Sequence, residues 1–216
     1  MNLIFLGAPG SGKGTQAEII EKTKGLCKLS TGDMLRAAVK AGTEVGKKAE
    51  SIMQAGGLVP DEVVIGIIAE KITQPECKNG FILDGFPRTI GQAEALDKML
   101  EQSGLKIHQV IELEVDENIL VERISGRFSC AKCGAGYHDK FKKTAKENEC
   151  DSCGSQEFIR RKDDNAETVK ARLEAYNNQT APLKPYYEQK GKLVKINAMQ
   201  NITEVTNQLE KLVSNM

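Results

Sequence analysis

The chain holds only two histidines in 216 residues, His108 and His138. With so few, nothing in the sequence suggests a Ser/His/Asp arrangement, and His108, set in an apolar run, reads as structural. Net charge is absent too: 30 Lys and Arg balance 30 Asp and Glu. A dedicated nucleic-acid binder is normally basic, and an acidic membrane surface would find no excess charge to attract. No apolar run approaches the ~20 residues of a membrane span. The first residues form neither a basic segment nor a cleavable apolar stretch. Together these absences predict a soluble, cytoplasmic protein with no nucleic-acid or membrane partner. No heptads or long apolar surface stretches are present, which predicts a monomer. In a reducing compartment disulfides are disfavoured. Of the six cysteines, Cys27 and Cys77 then read as small buried hydrophobes.

What the chain does have begins at once. Leu3-Ile4-Phe5-Leu6 reads as a buried strand, and a helix is predicted from Gln16 through Lys22. Between them lies Gly7-Ala8-Pro9-Gly10-Ser11-Gly12-Lys13-Gly14-Thr15. Strand, glycine-rich turn and helix make a phosphate cradle. Glycines let backbone N–H groups converge on an anion, and the helix N-terminus adds its positive end. Lys13 brings a point charge to the outer phosphates. The pattern departs from G-x-x-x-x-G-K-[ST] because Gly14 follows the lysine. The hydroxyl comes one place later, at Thr15, which weakens the case for a direct magnesium ligand from this loop.

Further along, strands and helices alternate. Strands are predicted at 26–29, 80–84, 107–115 and 192–197. Helices are predicted at 34–40, 44–55, from 60–62 onward, at 89–102, at 116–125, from 163–165 to about 187, and at 202–213. Ser30 and Thr43 are candidate helix caps, Pro60 suits a first helical turn, and the long helix ending at 187 is expected to kink near Pro182 and Pro185. The alternation predicts an α/β fold with a five-stranded parallel sheet flanked by helices. Residues 30–59 form a small helical insert after the second strand. Residues 126–162, rich in Gly, Lys and Cys with no helical period, form another. Ligands of such sheets sit beyond the carboxyl ends of the strands, where the glycine loop, Asp84 and Arg88 all fall.

Cys130-x2-Cys133 and Cys150-x2-Cys153 stand 16 residues apart. Two close thiol pairs at this spacing match a closed tetrahedral zinc site, structural because no coordination position stays open. The segment has too few large apolar residues to fold alone, so the metal should supply its folding energy. Arg36, Arg88, Arg123, Arg127, Arg161 and Arg172 cluster near the insert boundaries facing one crevice. Phosphoryl transfer needs positioning and charge neutralisation, and guanidinium groups suit that task.

Four motifs carry a resemblance over essentially the whole chain. They are the Gly7–Thr15 loop, Ser30-Thr31-Gly32-Asp33-Met34-Leu35-Arg36, Asp84-Gly85-Phe86-Pro87-Arg88-Thr89 and Arg161-Lys162-Asp163-Asp164. They resemble the adenylate kinases, in the long-lid form with a four-cysteine zinc site, and Gly14-Thr15 is that family's own version of the loop. The resemblance implies ATP + AMP ⇌ 2 ADP with Mg2+, and a P-loop kinase fold in three parts. A core comprises 1–29, 60–125 and 165–216, an AMP-binding insert 30–59, and a zinc-containing ATP lid 126–164. It implies ATP contacts at Gly10, Ser11, Gly12, Lys13, Gly14, Thr15, Arg123, Arg127, Gly136, Tyr137, His138 and Gln200. It implies AMP contacts at Thr31, Arg36, Gly57, Leu58, Val59, Gly85, Phe86, Pro87, Arg88 and Gln92, the last reading adenine. Arg161 and Arg172 clamp phosphates, and Asp84 orients magnesium through water. Arg161 is chosen over its neighbour Arg160, the alternative, because it directly precedes Lys162-Asp163-Asp164. Lys140, Lys142, Lys143 and Lys146 read as solvated surface.

Rival readings keep the same fold with UMP, CMP or GMP as acceptor or GTP as donor. Another makes the zinc knuckles a nucleic-acid module. Residues 126–162 hold nine Lys and Arg against five Asp and Glu, a modest excess, and the aromatic pair considered for stacking is Phe128 and Tyr137. That is thin material for base stacking.

Overall fold

A computed structural model describes residues 1–216. The apolar run at the N-terminus is β1 (Asn2–Leu6), every residue of it buried, as expected for a parallel strand covered on both faces. It is followed by α1 (Lys13–Lys24), β2 (Cys27–Ser30), α2 (Thr31–Lys40), α3 (Glu44–Gln54), α4 (Asp61–Ile72), β3 (Phe81–Asp84), α5 (Ile90–Gln102) and β4 (Gln109–Glu114). Then come α6 (Leu120–Ser125), the short strands β5 (Arg127–Cys130), β6 (Gly136–His138) and β7 (Phe158–Ile159), and α7 (Ala166–Ala175), α8 (Leu183–Gln189), β8 (Leu193–Asn197) and α9 (Ile202–Ser214).

Five strands form one parallel sheet in the order β2-β3-β1-β4-β8. Alternation along β1 divides the core in two. Ile4 and Leu6 join Leu83 and Val110 in a cluster covered by α4, α5 and α8, whereas Leu3 and Phe5 join Ile82, Ile111 and Ile196 under α1 and α9. The sheet thus presents the carboxyl ends of β1, β3 and β4 side by side at one edge.

Caps set the helix starts at that edge and within the insert that rises from it. The Ser30 hydroxyl accepts from Asp33 N, Thr43 from Gly46 N, and Thr89 from Gln92 N. Helices α2 and α3 form the predicted insert, packed so closely that a Cβ on Gly46 would lie 2.2 Å from Ala38 O.

Three regions differ in detail from the sequence reading. In the stretch 126–162, read only as an insert with no helical period, β5, β6 and β7 form a three-stranded antiparallel sheet in the order β6-β5-β7. These strands are too short for period-two patterning to show. The long helix expected to run to about residue 187 stops at Ala175. A π-helical stretch, Tyr176–Thr180, follows, in which Ala181 N–H reaches Tyr176 O at 2.8 Å, five residues back. Pro182, which has no N–H to give, then heads α8. The helix predicted from Asp116 is likewise shorter, because a 3-10 turn over Glu117–Ile119 precedes α6. His108 lies just before β4, its Nδ1 accepting from Asn2 N–H at 2.9 Å, which is the structural role expected of it.

Candidate active site

The loop between β1 and α1 turns sharply enough that Gly7, Gly10 and Gly12 all have positive φ. Lys13 folds back over it, Nζ donating to Gly7 O at 2.6 Å and Ala8 O at 2.9 Å. Burial pushes its ammonium from 10.5 down to about 8; Asp84 opposes the shift, and Arg88, Arg172 and Arg127 add to it. Asp84, last residue of β3, reaches the first turn of α1: its Oδ2 is 3.5 Å from a Cβ built on Gly14.

The loop floors a crevice of about 610 Å³. Lys13 and six arginines line it: Arg36, Arg88, Arg123, Arg127, Arg161 and Arg172. Residues Gly10 through Thr15, Asp84, Gly136, Tyr137, His138 and Gln200 line it as well. A smaller recess of about 50 Å³ opens beside it, bounded by Thr31, Arg36, Gly57, Leu58, Val59, Arg88 and Gln92. Gly85 borders both spaces and Pro87 the larger one, but Phe86 borders neither. Its ring is fully buried in the larger core cluster, so it supports the turn from behind rather than meeting a ligand.

Crowded cations held away from water need anions, and here carboxylates serve. Arg127 forks onto Asp164, its Nε 2.8 Å from Oδ2 and its Nη2 2.5 Å from Oδ1. Arg172 reaches Asp163 at 3.2 Å and Asp164 at 3.3 Å. Arg36 and Arg161 share Asp33 Oδ1, at 2.6 and 3.0 Å, so the lid and the α2–α3 insert touch across the crevice mouth. Burial works against the charge of Asp33, yet Arg161 and Arg36 hold its carboxyl down to about 2. Burial, then the charges of Arg127 and Arg36, pushes Arg161 down to about 10. Burial, then the Arg172 charge, does the same to Arg88, which bonds only backbone, through Nε to Gly85 O at 2.8 Å. Arg160 turns away, toward Asp139 at 2.8 Å and the Phe128 ring, and does not line the crevice.

Four sulfurs close the far end of the lid. Cys130, Cys133, Cys150 and Cys153 offer Sγ atoms all within 4.8 Å of one another. The pairs Cys130–Cys153 and Cys133–Cys150 stand at 3.6 and 3.5 Å. A tetrahedron with metal–sulfur bonds of about 2.3 Å has sulfur–sulfur edges of about 3.8 Å, so these residues fit a four-thiolate metal centre. The Tyr137 hydroxyl accepts from Asp151 N–H at 2.8 Å and lies 3.3 Å from Cys150 Sγ, leaving its own hydrogen for that sulfur.

A family profile described as adenylate kinase matches residues 5–192. The chain belongs to the adenylate kinase family. It is 55% identical over 213 residues to a protein named adenylate kinase from Paramagnetospirillum magneticum, covering 99% of this chain and 98% of that one. It is 55% identical over 216 residues to one of that name from Rhizobium etli, covering 100% of each. One from Zymomonas mobilis is 52% identical over 213 residues, covering 99% of this chain and 96% of the other.

Within the adenylate kinase fold, several of these side chains also have partners in the protein that the sequence did not show. Tyr137, expected among the ATP contacts, borders the crevice but turns its ring into the lid, stacked on Phe128 at 5.6 Å and edge-on to Phe158 at 5.8 Å. His138 is buried at the lid hinge, its Nδ1 accepting from Lys140 N–H at 2.9 Å. Gln92 is already engaged on both ends of its amide. Lys142 is not merely solvated surface: it is half-buried, lines the crevice, and stands 5.5 Å from the Tyr137 ring. Phe141 belongs to none of the sequence motifs. Its exposed ring lies 5.6 Å beneath the Arg123 guanidinium, and both border the crevice. Its only sequence signal is an apolar ring alone among lysines.

Proposed function

We propose that this chain transfers the γ-phosphoryl group of Mg-ATP reversibly to AMP, giving two ADP. The observation that carries the reading is the convergence of Lys13 and six arginines on the crevice that the glycine loop floors. The reaction neutralises charge on two nucleotides and asks for almost no covalent chemistry from protein groups, which suits a site with no nucleophile and base pair.

In this reading the loop from Gly10 to Thr15 and Lys13 hold the ATP phosphates. Arg123 and Phe141 border the donor base, with Gly136, Tyr137, His138 and Gln200 beside it. Thr31, Arg36, Gly57–Val59, Gly85, Pro87, Arg88 and Gln92 hold AMP, Arg88 on its phosphate. Arg127, Arg161 and Arg172 exchange their carboxylates for phosphate oxygens, the geometry that planar guanidinium groups match best. Asp84 orients the magnesium, whose chemistry is to draw charge from the transferring phosphoryl group. Zinc occupies the four-thiolate site in a structural role. The crevice draws all of these residues from one chain, in keeping with a monomer working in the cytoplasm; no helix is long and apolar enough to cross a membrane.

The test mixes purified, metal-replete protein with Mg-ATP and, separately, AMP, UMP, CMP or GMP. The reading expects rapid diphosphate formation with AMP alone. Equal or better turnover with another monophosphate overturns the acceptor assignment, and no transfer to any of them overturns the whole.

A further inference from the structure

Asp61 opens α4 and borders neither the crevice nor the recess. It nevertheless decides how Gln92 is presented. Gln92 is 1% exposed and lines the recess. Its Oε1 accepts the Arg88 backbone N–H at 2.7 Å, and its Nε2 donates to Asp61 Oδ1 at 2.7 Å. The second carboxylate oxygen of Asp61 accepts from the Thr89 hydroxyl at 3.0 Å, and that hydroxyl in turn accepts Gln92 N–H at 3.1 Å. Every direction in this ring is forced. A backbone N–H only donates and a carboxylate only accepts. Rotating the amide by half a turn would face N–H against N–H at Arg88 and oxygen against oxygen at Asp61.

We propose that Asp61 is a positioning residue for acceptor selectivity: it locks the Gln92 amide so that an oxygen acceptor and an N–H donor are offered in fixed order to the base in the recess. The inference rests on the reading of that recess as the AMP site. After its internal bonds, the amide keeps one lone pair on Oε1 and one hydrogen on Nε2. Adenine presents a donor at N6 and an acceptor at N1, and so meets both. A 6-oxopurine presents an acceptor at O6 and a donor at N1, and meets neither. A buried amide with a fixed direction therefore rejects hypoxanthine and guanine by leaving polar groups unpaired. An amide free to rotate would lose much of that discrimination.

The test compares AMP and IMP, which differ only at this edge, in kcat and KM for the whole enzyme and two variants. Asp61→Ala removes the acceptor. Asp61→Asn keeps one, because the Thr89 hydroxyl can accept from the new amide while Oδ1 still faces Gln92. The expected result is an AMP-over-IMP ratio of kcat/KM that falls at least about tenfold in Asp61→Ala, carried by KM for AMP, and stays near the parent value in Asp61→Asn. The ratio is internal to each sample, so a smaller folded fraction does not change it. An unchanged ratio in Asp61→Ala, or an equal loss in both variants, overturns the role of Asp61. A parent enzyme that takes IMP as readily as AMP overturns instead the reading of the recess.

Discussion

Lys13 is bonded to the loop it must serve and has Arg88, Arg172 and Arg127 for neighbours. Its depressed value has a signed consequence. Between about 8 and 10.5 the unfolded chain binds more protons at this position than the folded one, so this group adds to stability as pH rises through that window. Bringing ATP phosphates to the ammonium restores its proton. Binding of ATP near pH 9 should therefore take up protons, seen as a dependence of calorimetric binding enthalpy on the buffer's ionisation enthalpy, and Lys13→Met should abolish that component. Arg88 makes no ion pair, and its guanidinium bonds only the Gly85 backbone. Removing it should cost little stability but much transition-state charge compensation. Arg88→Ala is expected to lose activity by at least about a hundredfold with a melting temperature within a few degrees of the parent. At this scale the sequence made local motifs legible and long-range pairs opaque. Lys13, Asp84 and Arg88 announce themselves by neighbours in the chain. The Arg161–Asp33 contact joins positions 128 residues apart, and no spacing rule could show it.

Among the elements, the glycine loop and the lid depend on different physics. Gly7 has φ +141°, and a Cβ there would lie 2.7 Å from Ser11 Oγ and 2.8 Å from the backbone oxygen of Leu113. Backbone cannot yield as a side-chain tip can. Gly7→Ala should destabilise the protein by roughly 2 kcal/mol in urea titration, with ATP binding weakened because the cradle is displaced. The lid has a core of only Cys130, Ala135, Tyr137 and Cys150, with Phe128 and Phe158 packed on it. Half of that buried core is metal-site sulfur. Chelation or Cys130→Ser should speed hydrogen exchange throughout 126–162 while strands β1, β3 and β4 keep their protection. Equal protection in the lid before and after metal removal would contradict this. The same physics explains why β5, β6 and β7 escaped the sequence. Strands of two to four residues held by thiol knuckles and an aromatic trio leave no periodic signal, whereas the buried runs of the large sheet do. The break after Ala175 was half legible: Pro182 marked a disturbance, but the π-helical stretch begins six residues before it.

Across the whole molecule, the parallel order of the sheet gathers three loops at one edge, and the two inserts rise from that edge on either side of the crevice. Asp33 of one insert and Arg161 of the other already meet, and Thr168 Oγ1 bonds Gln54 O at 3.2 Å. A crevice covered in this way excludes water from the phosphates, which lets a phosphate oxygen of the acceptor nucleotide compete successfully with hydrolysis. The architecture was legible because strand and helix periods alternate along the chain. The closed arrangement was not, since it depends on which carboxylate each arginine finds. In the proposed function one crevice holds both nucleotides and passes the phosphoryl group directly between them. A single-turnover experiment with γ-labelled Mg-ATP and AMP decides whether it does. The prediction is label in the β-position of the ADP formed from AMP, with none on the protein and little as free phosphate. A labelled protein intermediate, or release of labelled phosphate faster than labelled ADP, would contradict it.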